Sequence, residues 1–116
     1  MTKIRILLPS LLILAGCMSA QPPAPPTAVA AAGYDSHVEL NWQPSTTQNI
    51  TGYEIYRSTD GGNGFDLLKG VGADVTSLID WTGDEGVNLS RQYKVRATVF
   101  GGSGDFSETA TAETHE

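Results

Sequence analysis

Only one cysteine, Cys17, occurs in the 116 residues, so no intramolecular disulfide can form and packing alone must hold whatever folds. Basic residues are scarce as well: seven Lys and Arg stand against 13 Asp and Glu, a net charge of −6. That balance argues against nucleic acid as a partner, because binding a polyanion requires clustered cations that release counterions. It argues equally against a basic patch lying flat on anionic lipid. No apolar run approaches the roughly twenty residues that a membrane-spanning helix needs; the one from Ile6 to Ala15 is about half that and is broken by Pro9 and Ser10. Catalytic signatures are missing too: there is no Gly-x-Ser-x-Gly elbow, no His-Glu-x-x-His helix and no phosphate-binding loop. The two histidines, His37 on the outward side of a strand and His115 near the end, read as solvated side chains and not as ligands or general bases. No catalytic residue, cofactor or metal is therefore expected.

What is present begins with an address. Lys3 and Arg5 precede the apolar run, and small residues follow it, which is the layout of a secretory signal to be set aside from fold reasoning. Leu14-Ala15-Gly16-Cys17 resembles a bacterial lipobox. The resemblance implies that residues 1–16 are removed, that Cys17 carries a diacylglyceryl group, and that its amino group is acylated. Met18 follows the cysteine where Asp would retain a lipoprotein at the inner membrane, so the expectation for a Gram-negative source is the outer membrane. The competing reading is a signal cut after Ala20, leaving Cys17 a free thiol. Two or three acyl chains hold a protein almost permanently, because each buried methylene contributes about 0.8 kcal/mol. Residues 17–116 keep all 13 acids but lose Lys3 and Arg5, so the net charge falls from −6 to −8.

Residues 17–26 contain Pro22-Pro23-Ala24-Pro25-Pro26, which favours an extended polyproline conformation and reads as a spacer between lipid and domain. From residue 27 to 114, short runs alternate between apolar and polar side chains and are bounded by Gly, Asn, Asp, Ser and Pro, the pattern of an all-β domain. Val38, Leu40 and Trp42 alternate with His37, Glu39 and Asn41, so one face of that strand is apolar and the other solvated. Tyr53 and Ile55 alternate with Glu54 and Tyr56; Tyr93, Val95 and Ala97 alternate with Lys94, Arg96 and Thr98. Further strands are expected at 27–32, 65–71, 76–80 and 106–112, giving seven, at the spacing of a sandwich.

On these residues the chain resembles a single fibronectin type III domain, a seven-stranded immunoglobulin-like sandwich. Pro26-Thr27-Ala28-Val29 is similar to the opening strand, Val38-Glu39-Leu40-Asn41-Trp42 to the second strand with its buried tryptophan, and Tyr53-Glu54-Ile55-Tyr56 to the third. Thr76-Ser77-Leu78-Ile79-Asp80 matches the fifth and Tyr93-Lys94-Val95-Arg96-Ala97 the sixth, with Tyr93 as the corner tyrosine. Val87 stands where the family has leucine, and the connection before it is about four residues longer than usual. The resemblance implies a core built on Trp42, Tyr53, Ile55, Tyr93 and Val95. An indole such as Trp42 buries 150–250 Å², and its loss would cost about 3–5 kcal/mol.

Candidate contact residues are the outward Tyr56 and Trp81, since exposed aromatics stack on sugars or anchor protein partners. Trp81 has two readings, tucked beneath its own loop, which is preferred, or exposed. The glycine-rich stretch 60–66 reads as a turn between neighbouring strands and not as a calcium loop, for it lacks the terminal glutamate of an EF-hand. Asn49-Ile50-Thr51 and Asn88-Leu89-Ser90 match a glycosylation sequon by chance in a bacterial setting. The expectation is a non-catalytic lipoprotein at the cell envelope, held to membrane by lipid, whose domain contacts an envelope protein. A carbohydrate-binding module or spacer, with a polysaccharide partner, is the alternative. A hydrolase using the acids Asp84 and Glu85 is the third, and it requires two carboxyl groups converging in a cleft.

Overall fold

A computed structural model describes residues 21–83 and 89–114. All regular structure in them is β except for isolated turns. The strands are β1 (Thr27–Gly33), β2 (His37–Gln43), β3 (Gly52–Ser58), β4 (Asp66–Gly72), β5 (Ser77–Trp81), β6 (Ser90–Val99), β7 (Gly102–Ser103) and β8 (Ala110–Glu113). They form two sheets. One runs β1-β2-β5; the other runs β4-β3-β6, with β7 and β8 both paired to β6. All pairings are antiparallel. Cys17 with Leu14, Ala15 and Gly16, the acids Asp84 and Glu85, and also Val87, Asn88 and His115 lie outside the described residues.

The two-period alternation explains the layers. Every second residue of β2, β3 and β6 points inward, and Val38, Leu40, Trp42, Tyr53, Ile55, Tyr93, Val95 and Ala97 form one buried cluster between the sheets. Trp42 meets Tyr53 edge to face, with centroids 5.7 Å apart, an arrangement that adds to area burial because the ring edge is positive and the face negative. The Tyr53 hydroxyl emerges from the cluster and accepts a hydrogen bond from the Ser45 N–H at 3.0 Å, tying the β2–β3 loop to the core.

Eight strands occur where seven were expected because the last one is interrupted. Between β7 and β8 the chain still follows β6: the Gly104 N–H donates to the Ala97 carbonyl and the Ser107 N–H to that of Val95. The Ser107 hydroxyl in turn accepts from the Val95 N–H at 3.0 Å. A side-chain oxygen thus replaces a ladder carbonyl, and regular pairing lapses there.

Of residues 17–26, expected as a spacer, the described ones do not stand clear of the domain. Pro23 and Pro26 are buried, and the Ala24 N–H donates to Thr47 Oγ1 at 2.8 Å. A Cβ on Gly104 would collide with the Pro23 carbonyl, so only glycine admits this close approach. Polyproline geometry leaves backbone groups without internal partners; here the domain surface supplies partners, and residues 22–26 form its first edge.

Candidate functional site

At the end of the sandwich where β1 turns into β2, the inward positions become charged. Asp80 of β5, only 5% exposed, accepts two hydrogen bonds from Arg57 Nη1 of β3, at 2.9 and 3.1 Å, and a third from the Tyr93 hydroxyl of β6, at 2.7 Å. A carboxylate so far from water needs such partners, because charge-assisted hydrogen bonds offset its lost hydration. The network joins the two sheets. Burial first, and the Asp80 carboxylate second, push the Tyr93 phenol far above the ordinary tyrosine value. The Tyr93 hydroxyl thus donates to a side chain across the sandwich.

Just outside that network lies an exposed aromatic group. The short turn between β1 and β2 is closed by the Tyr34 N–H donating to the His37 carbonyl, and register pairs His37 with Trp81. The rings of Tyr34 and His37 stack at 4.9 Å with 13° between planes; His37 and Trp81 are also 4.9 Å apart but tilted by 45°. His37 Nε2 lies 3.2 Å from Glu39 Oε2. Trp81 is 67% exposed, Tyr34 45% and Ile79, the next outward residue of β5, 46%. The preferred reading of Trp81 as tucked beneath its loop is corrected by this exposure. Outward alternation along β5 puts Trp81 on the same side as Ser77 and Ile79, opposite the inward Asp80. His37, read as a solvated side chain, is the middle of the stack.

Tyr56 stands elsewhere. It lies on the outer face of the other sheet, half-buried, with its ring edge to face against Phe106 at 5.0 Å. Arg96 sits 5.2 Å from the Tyr56 ring and 4.9 Å from that of Phe106, donates to the Tyr56 hydroxyl at 3.0 Å and pairs with Glu54 at 2.8 Å. Lys94 Nζ lies 4.1 Å from the Phe106 ring and 4.3 Å from the Phe65 ring. The outward aromatics of this face are bridged by cations. Tyr56 and Trp81 do not share a surface.

Asp60 organises the glycine-rich turn by accepting hydrogen bonds from the Ser58 hydroxyl and the Gly64 N–H, which hold its carboxyl below the usual value. Among the described residues no three His, Cys, Asp or Glu side chains gather as a metal site would require. A shallow cleft of about 580 Å³ at the open side of the sandwich is lined by Leu40, Val71 and Leu78, with Glu39 and Lys69 as its charged groups. Tyr34, Arg57 and the cations of β6 were missed from sequence. Tyr34 gives no strand signal, and the ring contacts depend on pairing that only the register supplies.

Two sheets in this order, a buried tryptophan on the second strand and a tyrosine on the sixth define a fold of the fibronectin type III kind. Solved structures bear this out. The chain is similar to part of a β-1,2-glucanase from Parabacteroides distasonis, with 25% identity and a TM-score of 0.68 over 86% of its length, but spans only 13% of that enzyme. An Fn3-like protein from Clostridium thermocellum shares 20% identity, with a TM-score of 0.66 over 83% of this chain and 97% of the other. A crystal structure of domains A168–A170 from titin matches at 21% identity and a TM-score of 0.69, covering 82% of this chain and 33% of that multidomain fragment. No protein-family model and no curated protein matches the sequence.

Proposed function

We propose that this protein is a non-catalytic, lipid-anchored contact module of the bacterial cell envelope, and that its contact surface is the Tyr34–His37–Trp81 group with Ile79. The observation carrying this reading is the exposure of Trp81 beside a second aromatic and an aliphatic side chain on one sheet face. Exposed apolar groups gathered in this way mark interaction sites, and tryptophan and tyrosine dominate the energetics of protein interfaces. The lipobox-like residues ending at Cys17 supply the anchor, and the fold supplies a rigid support.

Ring geometry favours a protein over a sugar. A sugar stacks on an open ring face, whereas the near-parallel Tyr34 and His37 cover one face of each other, and Trp81 is tilted away from their plane. Ile79 is better matched to a hydrophobic pocket on a protein. The likeness to a polysaccharide-degrading enzyme and the exposed indole support the carbohydrate alternative, which predicts retardation by soluble glucans in native gels.

The test is site-specific photo-crosslinking in the native envelope, with the photoreactive group at position 79 or 56 of the acylated chain. A discrete adduct from position 79 and none from 56 is expected, weakened when Cys17→Ser releases the protein from the membrane. Equal labelling from both positions, or none from 79, overturns the assignment.

A further inference from the structure

Phe100 is the most exposed large apolar side chain among the described residues, 97% accessible. It sits at the tip of a two-residue turn that closes on the Val99–Gly102 pair, and Gly101 makes the turn possible by adopting φ of 86°. Such a tip forfeits the transfer gain of a whole phenyl ring.

The start of the described chain arrives at the same place. Gln21, Pro22 and Pro23 line one hollow with Val99, Phe100 and Gly101, and Pro23 is pressed against Gly104. Four residue steps separate Cys17 from Gln21, and four steps of backbone reach at most about 14 Å whatever path they take. Acyl chains on Cys17 would therefore enter a bilayer within that distance of Gln21, which lines the same hollow as the Phe100 turn. The neighbouring loops at this end, residues 44–51, 73–76 and 99–105, contain Asp74 and Asp105 as their only charged residues. With no base there, attraction to anionic headgroups cannot drive contact. What remains is apolar insertion of one ring, and phenylalanine, like tryptophan and leucine, is among the side chains that surface-bound segments bury at the boundary between headgroups and acyl chains.

We propose that the Phe100–Gly101 turn dips into the surface of the membrane to which Cys17 is attached, as a second point of contact that fixes the orientation of the domain. This inference rests on the lipid-anchor reading above. β1 leads away from this end, and its six residue steps cover about 20 Å, so the orientation turns Tyr34 and Trp81 away from the lipid and toward a partner.

The test uses the full chain, produced in a lipoprotein-processing host and reconstituted in phosphatidylcholine vesicles, with acylation read by intact mass. Because the lipid occupies the native thiol, Phe100→Cys offers a single site for a spin label, and Thr59→Cys, in an exposed turn at the other end, serves as control. Collisions with oxygen and with a water-soluble nickel chelate report depth. The label at position 100 should favour oxygen at least threefold over the label at 59, and the ratio should not rise when phosphatidylglycerol is added. If the protein is acylated and the label at 100 collides with nickel as freely as that at 59, the membrane contact is overturned while the anchor stands. Shielding from both reagents marks a protein contact, a second copy included, and also overturns it. An unmodified sulfur at Cys17 removes the anchor and the proposal together.

Discussion

The two outward faces of the sandwich both carry aromatic side chains and treat them in opposite ways. On the five-stranded sheet, Lys94 and Arg96 occupy alternate outward positions of β6, with Phe65, Phe106 and Tyr56 gathered around them. On the three-stranded sheet, the outward residues of β5 are Ser77, Ile79 and Trp81, and the described residues place no Lys or Arg over Tyr34, His37 or Trp81. A cation over a ring face gains electrostatic attraction from the ring quadrupole and leaves that face unavailable to a ligand. The first face is closed on itself; the second remains open. Composition alone does not decide which aromatics are available to a partner. The charge of the neighbouring strand does.

Both faces depend on sheets held in fixed relation, and the largest effect should come from breaking the link between them. Asp80→Ala leaves Arg57 and the Tyr93 hydroxyl without their shared acceptor. Removing one member of a buried, charge-assisted network costs about 3 kcal/mol, and for a domain of this size Tm should fall by more than about 10 °C. Chemical denaturation giving a loss below about 1 kcal/mol would mean that the sheets are joined by apolar packing alone. Trp81→Ser comes next and separates the faces. It should weaken capture of the crosslinked partner by about 2 kcal/mol, roughly thirtyfold, while stability changes by less than about 0.5 kcal/mol, as for other exposed positions. If Tyr56→Ser weakens capture as much, the contrast between faces fails.

The inter-sheet network also predicts a response to alkali. Tyr93 binds its proton more tightly when folded than when unfolded, because burial and the Asp80 carboxylate both oppose the phenolate. Its contribution is therefore fully present below the ordinary tyrosine value of 10.0 and is lost as pH rises above it, where the unfolded chain releases a proton that the folded chain keeps. The slope should approach about 1.4 kcal/mol per pH unit. Denaturant midpoints compared between the native chain and Tyr93→Phe would check this, for the variant should lack that component of the slope.

The fold class was legible because three strands alternate strictly. Val38, Leu40 and Trp42 against Glu39 and Asn41 leave one face to bury, and side-chain period alone assigns it. The break in the last strand was not legible, since it turns on one serine hydroxyl replacing a carbonyl. The fate of Trp81 was obscured for a different reason. Being next to an irregular loop suggested shelter, whereas the strand extends through Trp81 and the inward Asp80 forces its neighbour outward. Tyr56 was read correctly as outward, but outward is not the same as exposed: Arg96 and Phe106 come from positions 40 and 50 residues away in sequence, and nothing local announces them. The closed face and the open face look alike until the strands are paired.

The smallest effect sharpens the comparison most. Lys94→Met keeps much of the side chain's length and apolar stem but removes the charge between Phe65 and Phe106. The cost should be about 0.5–1 kcal/mol, the worth of a partly exposed cation–π contact, and the denaturation slope should be unchanged because no core surface is altered. If the cation is what closes this face, the variant should also bind a hydrophobic dye more strongly than the native chain, through the rings it uncovers. Dye binding that stays level would show that Arg96 and the packing of Tyr56 on Phe106 suffice to keep the face closed, and would move the distinction between the faces from charge to packing.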